Sequence, residues 1–357
     1  MQLFSASSLL AVLVATLWIS DTSCAQTTLR VPGVTIKTEH PSGAGKSFTA
    51  LVEYNKQLGF MKCTHAEWLF NQEVAALNAI HNGRPSRLRM PSNIKESFVR
   101  MLGTEKADDG QHCIIFEQLD GYSMADFVKG MSEVERDDIL PDIFVQIIKG
   151  LQYMHSLGWV HGDIKPDNII ISQPTQEGLP KVKIIDFDVS QHVGRYQATS
   201  FGATRGYQPP EEFTSRTLDQ YKRDTWMVGA TLYESLMDMP PYGYKAEKDG
   251  KLGAITKEDL IEQMQKVALR KVNSFIDVQT SNNADLIKLL YQLLRVDVSK
   301  RPYLSSLSAT LLYKLAGARK KSVFLRQAWT NTATMFSRQP RIKESANSTA
   351  SLPPFSA

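Results

Sequence analysis

His161-Gly162-Asp163-Ile164-Lys165-Pro166-Asp167-Asn168 is the stretch from which the rest of this chain can be read. A carboxylate, an ammonium and an amide stand there at fixed offsets: Asp163, Lys165 two residues on, and Asn168 five residues after Asp163. The flanks differ in period. Before it, DILPDIFVQIIKGLQYMHS at 138–156 puts Ile143, Ile147, Leu151 and Met154 on one helical face. After it come two short apolar strands, NIIIS at 168–172 and KVKIIDF at 181–187. A polar turn with Pro174, Gly178 and Pro180 joins them as a hairpin. The hairpin returns Asp186, which comes directly off the second strand, to the neighbourhood of Asn168.

Upstream the pattern is strand-rich, with LVEY at 51–54, LGFMKC at 58–63 and CIIFEQL at 113–119. One helix interrupts it. AEWLFNQEVAALNAI at 66–80 places Leu69, Ala76, Leu77 and Ile80 at helical spacing. Residues 26–42 show no clear period and are set apart as an N-terminal extension. Downstream, DTWMVGATLYESLM at 224–237 is apolar almost all round, as a helix buried on every side would be. Helices continue to about Lys314. Strands first and helices later predict an α+β, two-lobed architecture with a hinge near 117–121. The small β-rich lobe covers 43–118, the larger helical lobe 121–316, and a basic, loosely ordered tail 317–357.

With 357 residues, 42% hydrophobic and 22% charged, the chain can bury a sizeable core. A formal net charge of +4 gives no reason to expect nucleic-acid binding. Leu9–Ile19 is an uncharged apolar run followed by Ser23-Cys24-Ala25, which reads as a secretory signal over 1–25, cleaved after Ala25. No later stretch has the roughly 18 apolar residues of a membrane span. Cys63 and Cys113 are then expected to be buried free thiols, although a secretory route would permit one bridge. In the tail, Arg319, Lys320, Lys321, Arg326 and Arg338 alternate with Val323, Phe324, Trp329 and Phe336. This suits an amphipathic helix on a membrane surface or one docked on the large lobe.

Phosphoryl transfer needs a carboxylate beside the attacking hydroxyl, a cation near the transferred phosphate, and metal ligands. Asp163 fits the first need and Lys165 the second. Asn168 and Asp186 supply oxygens of the kind that a hard cation such as magnesium prefers. Lys62 lies inside an apolar strand, and Glu73 lies on the apolar stripe of the 66–80 helix. A carboxylate on such a stripe needs a partner. The Lys62–Glu73 pair would orient a phosphate.

These pieces resemble the eukaryotic protein kinases. HGDIKPDN resembles their catalytic loop, IIDFD their magnesium motif, and GFMKC their third strand with its ATP-contacting lysine. The resemblance runs from about residue 40 to 316. It implies the bilobal kinase fold, ATP and Mg2+, and a protein substrate with Ser or Thr acceptors. Phe116 takes the gatekeeper place, and Glu117 to Leu119 the hinge that meets adenine. Pro209-Pro210-Glu211 resembles the end of the activation segment, and Arg301 the late arginine that pairs with that glutamate. Lys165 and Thr204 resemble the serine/threonine class. A further resemblance is to the secreted rhoptry and dense-granule kinases of apicomplexan parasites, in the with-no-Gly-loop subgroup that includes a bradyzoite pseudokinase. It implies work in a parasitophorous vacuole or cyst wall.

Three departures stand out. Gly43 and Gly45 keep two glycines of the phosphate loop, but Phe48 replaces the third. Gly45-Lys46-Ser47 is no Walker motif, because His40 stands where that motif needs glycine. Asp188 replaces a glycine, either straining the backbone or adding a metal-ligating oxygen. Gly162 replaces the arginine that often pairs with a phosphorylated segment, so Thr199, Ser200 and Thr204 need not be phosphorylated. Two functions follow from the letters: an active serine/threonine kinase, or a pseudokinase serving as a scaffold.

Overall fold

The alternating apolar residues of the first half fold into strands of one antiparallel sheet. The computed structural model describes residues 29–40, 47–84, 91–172, 180–193, 197–198, 204–215, 217–246 and 252–317. The strands are β1 (Val34–His40), β2 (Phe48–Tyr54), β3 (Gln57–Thr64), β4 (Met101–Lys106) and β5 (His112–Glu117), in spatial order β1-β2-β3-β5-β4. Period two sorts their side chains onto two faces. Ala50, Val52, Met61, Cys63, Cys113 and Ile115 close a small core on one face. Phe60, Ile114 and Phe116 join the main core with Ala76, Leu77 and Ile80 of helix α1 (Glu67–Asn82). Lys62, between Met61 and Cys63, therefore points toward α1.

Two expectations are corrected here. The stretch 26–42, set apart as an extension, contains β1, which pairs with β2 from Val34↔Tyr54 to His40↔Thr49. Its side chains are mostly exposed. Only Val34 and Ile36 alternate with polar neighbours before a bulge interrupts the register, and Thr38, Glu39 and His40 carry the strand on without apolar residues, too short a pattern to betray it. Cys63 and Cys113 are not free thiols. They form a disulfide with Cα atoms 4.0 Å apart. The β3–β5 register sets them directly opposite each other.

The second lobe is built on helices. Helix α2 (Met124–Val128) follows the short strand β6 (Tyr122–Ser123). Helix α3 (Glu133–Ser156) starts at a capping box in which Ser132 Oγ accepts from the Glu135 amide and Glu135 Oε2 accepts from the Ser132 amide. Its inward face includes Ile143, Ile147, Leu151 and Met154, all inaccessible to solvent. After the two-residue strand β7 (Trp159–Val160) come β8 (Ile169–Ser172) and β9 (Lys181–Ile184), paired from Ile169↔Ile184 to Ser172↔Lys181. Helix α4 (Gln220–Met237) is buried on nearly every side, as its composition requires. Asp219 caps its start, and Asp238 ends it in the left-handed region. Helices α5 (Lys257–Arg270), α6 (Ala284–Leu293) and α7 (Ala309–Gly317) complete the lobe. Among the described residues, no helix is long and apolar enough to cross a membrane. The signal expected at 1–25 and the tail beyond Gly317 lie outside the described residues.

Candidate active site

Lys62 stands on β3, and its ammonium meets three carboxylates. It donates to Glu73 Oε2 at 3.1 Å, Asp186 Oδ1 at 2.7 Å and Asp188 Oδ2 at 3.0 Å. Glu73 comes from α1 and is 2% exposed. Its other oxygen accepts from the Phe187 amide at 3.1 Å. One carboxylate thus ties helix, strand and the segment after β9 together. Phe187 packs beneath, with its ring 5.0 Å from that of His161 and 6.1 Å from that of Phe98.

The electrostatics follow from one cation among three acids. Burial disfavours the Lys62 ammonium, but Asp186, Glu73 and Asp188 outweigh it and hold its pKa well above the lysine range. Burial raises Glu73 to about 7, against the pull of Lys62 and with the help of Asp186 and Asp188. Asp186 is also buried, yet Lys62 holds its carboxyl below the usual range. Asp188 is raised, by burial first and then by the Asp186 charge. When all ionise, the cluster carries two negative charges more than positive ones.

Asp163, Lys165, Asn168 and Thr204 form the facing half. Lys165 Nζ lies 2.8 Å from Asp163 Oδ2 and donates to Thr204 Oγ1 at 2.7 Å. The Thr204 hydroxyl donates to Asp163 Oδ2 at 3.1 Å, and its amide donates to Oδ1 at 3.1 Å. Asn168 Nδ2 donates to the Asp163 carbonyl at 2.8 Å. The Asp163 carboxylate is therefore aimed by groups from both the loop and the activation segment. Burial opposes the Lys165 charge, but Asp163 prevails and raises its pKa.

The two halves meet through the β8–β9 hairpin. The Ile185 amide donates to the Asn168 carbonyl at 3.0 Å, so Asn168 and Asp186 flank one backbone bond. Asp186 has φ +67, in the left-handed region that aspartate tolerates better than most residues. Asp188 is not among the left-handed residues, so the strain considered at that position does not arise.

The hinge holds a pair that the sequence did not suggest. The Glu117 carboxylate accepts from Lys183 Nζ at 2.5 Å and from the Arg100 amide at 3.0 Å. Leu119 packs partly buried against the main core. Lys183 could have been noticed as the lone polar side chain between Val182 and Ile184. Gly43 and Gly45 lie outside the described residues.

A magnesium ion fits this donor set. Among the described residues, no three His, Cys, Asp or Glu side chains form a ready-made metal cage. Magnesium rarely uses one. It takes one or two carboxylates, keeps waters, and completes its shell with phosphate oxygens. Asp186 with Asn168 matches that habit, and the surplus negative charge around Lys62 favours a divalent cation.

Residues 88–311 match the family model described as the protein kinase domain. The chain belongs to the protein kinase family. The kinase is 30% identical over 192 residues to homeodomain-interacting protein kinase 2 of Mesocricetus auratus, covering 50% of this chain and 16% of that protein. It is 33% identical over 201 residues to the mitogen-activated protein kinase kinase SIPKK of Nicotiana tabacum, covering 54% of each. The kinase thus spans only part of these relatives. Among solved structures, the Cydia pomonella granulovirus kinase PK-1 shares the fold with a TM-score of 0.57 at 16% identity, covering 78% of this chain and 95% of that one.

Further family features take their places. Arg301, 1% exposed, makes a bidentate pair with Glu211, from Nη1 at 2.6 Å and Nη2 at 2.9 Å. Asp224 accepts from the amides of His161 and Gly162, each at 2.9 Å, and lies 2.9 Å from His155 Nε2. Burial opposes its charge, but the His155 bond leads the contacts that hold its pKa low. The catalytic loop is thereby fastened to buried helix α4.

Proposed function

We infer that this kinase is a secreted serine/threonine enzyme that transfers the γ-phosphate of ATP to protein Ser or Thr hydroxyls. The carrying observation is the meeting of the Lys62–Glu73–Asp186 cluster with the Asp163–Lys165–Asn168–Thr204 cluster across one hairpin. Lys62, oriented by Glu73, would hold the α- and β-phosphates, with adenine against Glu117 to Leu119. Asn168 and Asp186 would hold Mg2+, which when bound neutralises charge on the phosphate oxygens. Asp163 orients the acceptor hydroxyl and takes its proton as the phosphoryl group moves. Lys165 offsets charge on the γ-phosphate. Lys165 two residues after Asp163, bridged by Thr204, supports the serine/threonine class.

Secretion is supported by the signal expected over 1–25 and by the Cys63–Cys113 disulfide, which suits an oxidising compartment. With the incomplete glycine loop, these features support placement among the secreted with-no-Gly-loop kinases of apicomplexan parasites.

One contact favours a second reading, a pseudokinase scaffold. Asp188 Oδ2 occupies the Lys62 ammonium at 3.0 Å, where a phosphate oxygen would otherwise bind. A thermal-shift titration with ATP and magnesium, coupled to phosphoamino-acid analysis of an acceptor protein, separates the two. The enzyme gives a saturable shift and labelled phosphoserine or phosphothreonine. A folded protein that shows neither is the scaffold.

A further inference from the structure

Gly162 leaves the catalytic loop without the arginine that stands before the catalytic aspartate elsewhere in the family. The fold supplies a guanidinium from another element. Arg223, in the first turns of α4, is 1% exposed. Its Nη1 donates to the Gly162 carbonyl at 2.7 Å. Its Nε donates to Glu212 Oε2 at 2.8 Å, and its Nη2 stands 3.5 Å from Oε1. The next residue, Asp224, takes the Gly162 amide at 2.9 Å. Two consecutive residues of one buried helix therefore grip Gly162 at both its N–H and its C=O.

The backbone at Gly162 is shaped for this grip. Its φ is +86, where side chains are strained. A Cβ there would lie 2.9 Å from the Val189 carbonyl oxygen and 3.6 Å from Arg223 Nη1. The glycine and the α4 arginine are thus complementary.

Glu212 belongs to the end of the activation segment. Its neighbour Glu211 is held by Arg301, and Gln208 Nε2 donates to Glu212 Oε1 at 2.9 Å. Consecutive carboxylates therefore engage two buried guanidiniums, one on the late arginine and one reaching the catalytic loop. A buried guanidinium needs an anion. Here the chain itself carries it, so the tether is complete in every copy of the protein without a modification.

We propose that Arg223 is a positioning residue for phosphoryl transfer. By bridging Glu212 to the Gly162 carbonyl it fixes the loop that presents Asp163, and it makes activity independent of phosphate on the activation segment. This rests on the kinase reading above. Lysine at 223 keeps the charge but cannot reach Glu212 and Gly162 together. Arg223→Met with Glu212→Gln removes the bridge without leaving either charge unpaired.

The test measures kcat, the KM for ATP and the ATP·Mg2+ thermal shift for Arg223→Lys and for the double variant. It also measures the initial rate of wild type treated with phosphatase until mass spectrometry finds no phosphate. Expected are a kcat loss of about tenfold or more in both variants, a KM for ATP within about threefold, and a retained thermal shift. The dephosphorylated wild type should keep its rate within about twofold. A folded variant with kcat within about twofold of wild type overturns the proposal, as does a wild type that loses about tenfold on dephosphorylation. The dephosphorylation arm decides even where both variants fail to fold. A wild type that transfers no phosphate overturns the kinase reading and this proposal together. An active wild type with unaffected variants overturns this proposal alone.

Discussion

The Lys62 ammonium lies 2.7 Å from the Asp186 carboxylate, although 124 residues separate them in the chain. Glu73 and Asp188 complete a ring of three acids around the same nitrogen. A buried cation so surrounded holds strand β3, helix α1 and the segment after β9 in one arrangement. It is also the group to which the proposed function assigns the ATP phosphates.

Replacing Lys62 by methionine keeps the stem but removes the charge. Three partly or fully buried acids then share no counter-ion. Steady-state kinetics should show kcat/KM for ATP falling by about a hundredfold or more. Thermal denaturation should show a stability loss on the order of 3 kcal/mol, as when one partner of a buried pair is removed.

Asp188→Gly restores the residue that the family resemblance leads one to expect. Asp188 does not occupy the left-handed region, so the exchange relieves no strain there. It does withdraw a carboxylate from the Lys62 cluster. The magnesium concentration for half-maximal activity should rise by about threefold or more, with folding retained. An unchanged magnesium titration would place Asp188 outside the metal's reach.

Much of this site could be read from the letters, because its parts are local patterns. The Asp163–Lys165–Asn168 offsets, and Asp186 at the end of an apolar strand, are properties of short segments. Glu73 was legible as a carboxylate on a helical apolar stripe, and Thr204 through its resemblance. What escaped depends on register and tertiary meeting. Cys63 faces Cys113 only because β3 and β5 pair in one of several possible registers. β1 is an edge strand whose apolar alternation is limited to Val34 and Ile36 before a bulge. Arg223 stands in the polar first turn of α4, beside Gln220, Lys222 and Asp224, and nothing local announces that Glu212 and Gly162 converge on it.

The disulfide should be measurable in the purified protein. Thiol titration under denaturing, non-reducing conditions should find neither Cys63 nor Cys113 free. The double variant Cys63→Ala with Cys113→Val should lose roughly 2–4 kcal/mol by chemical denaturation, since the bridge closes a loop with a sequence separation of 50.

Glu234 on α4 gives a pH dependence with a definite sign. Burial, then Asp167 and Asp238, push its pKa up to about 8, with Lys165 opposing. The Tyr207 hydroxyl donates to it. Between an unfolded value near 4.5 and the folded value near 8, the native state holds a proton that the unfolded chain has released. Its contribution is therefore full below the lower value and lost as pH rises through the upper one. Relative to Glu234→Gln, wild-type stability should fall by about 1 kcal/mol per pH unit across that window. A flat difference between pH 5 and pH 8 would contradict the assignment.

The most direct test of the whole account compares phosphate transfer from ATP by the wild type with that by Asp163→Asn, in magnesium, on a Ser/Thr-containing acceptor protein. Asparagine keeps the shape of the side chain but cannot take the hydroxyl proton. The wild type should transfer phosphate, and the variant should lose about a hundredfold or more in rate while its ATP·Mg2+ thermal shift persists. Equal rates for the two, or no transfer by a well-folded wild type, would contradict it.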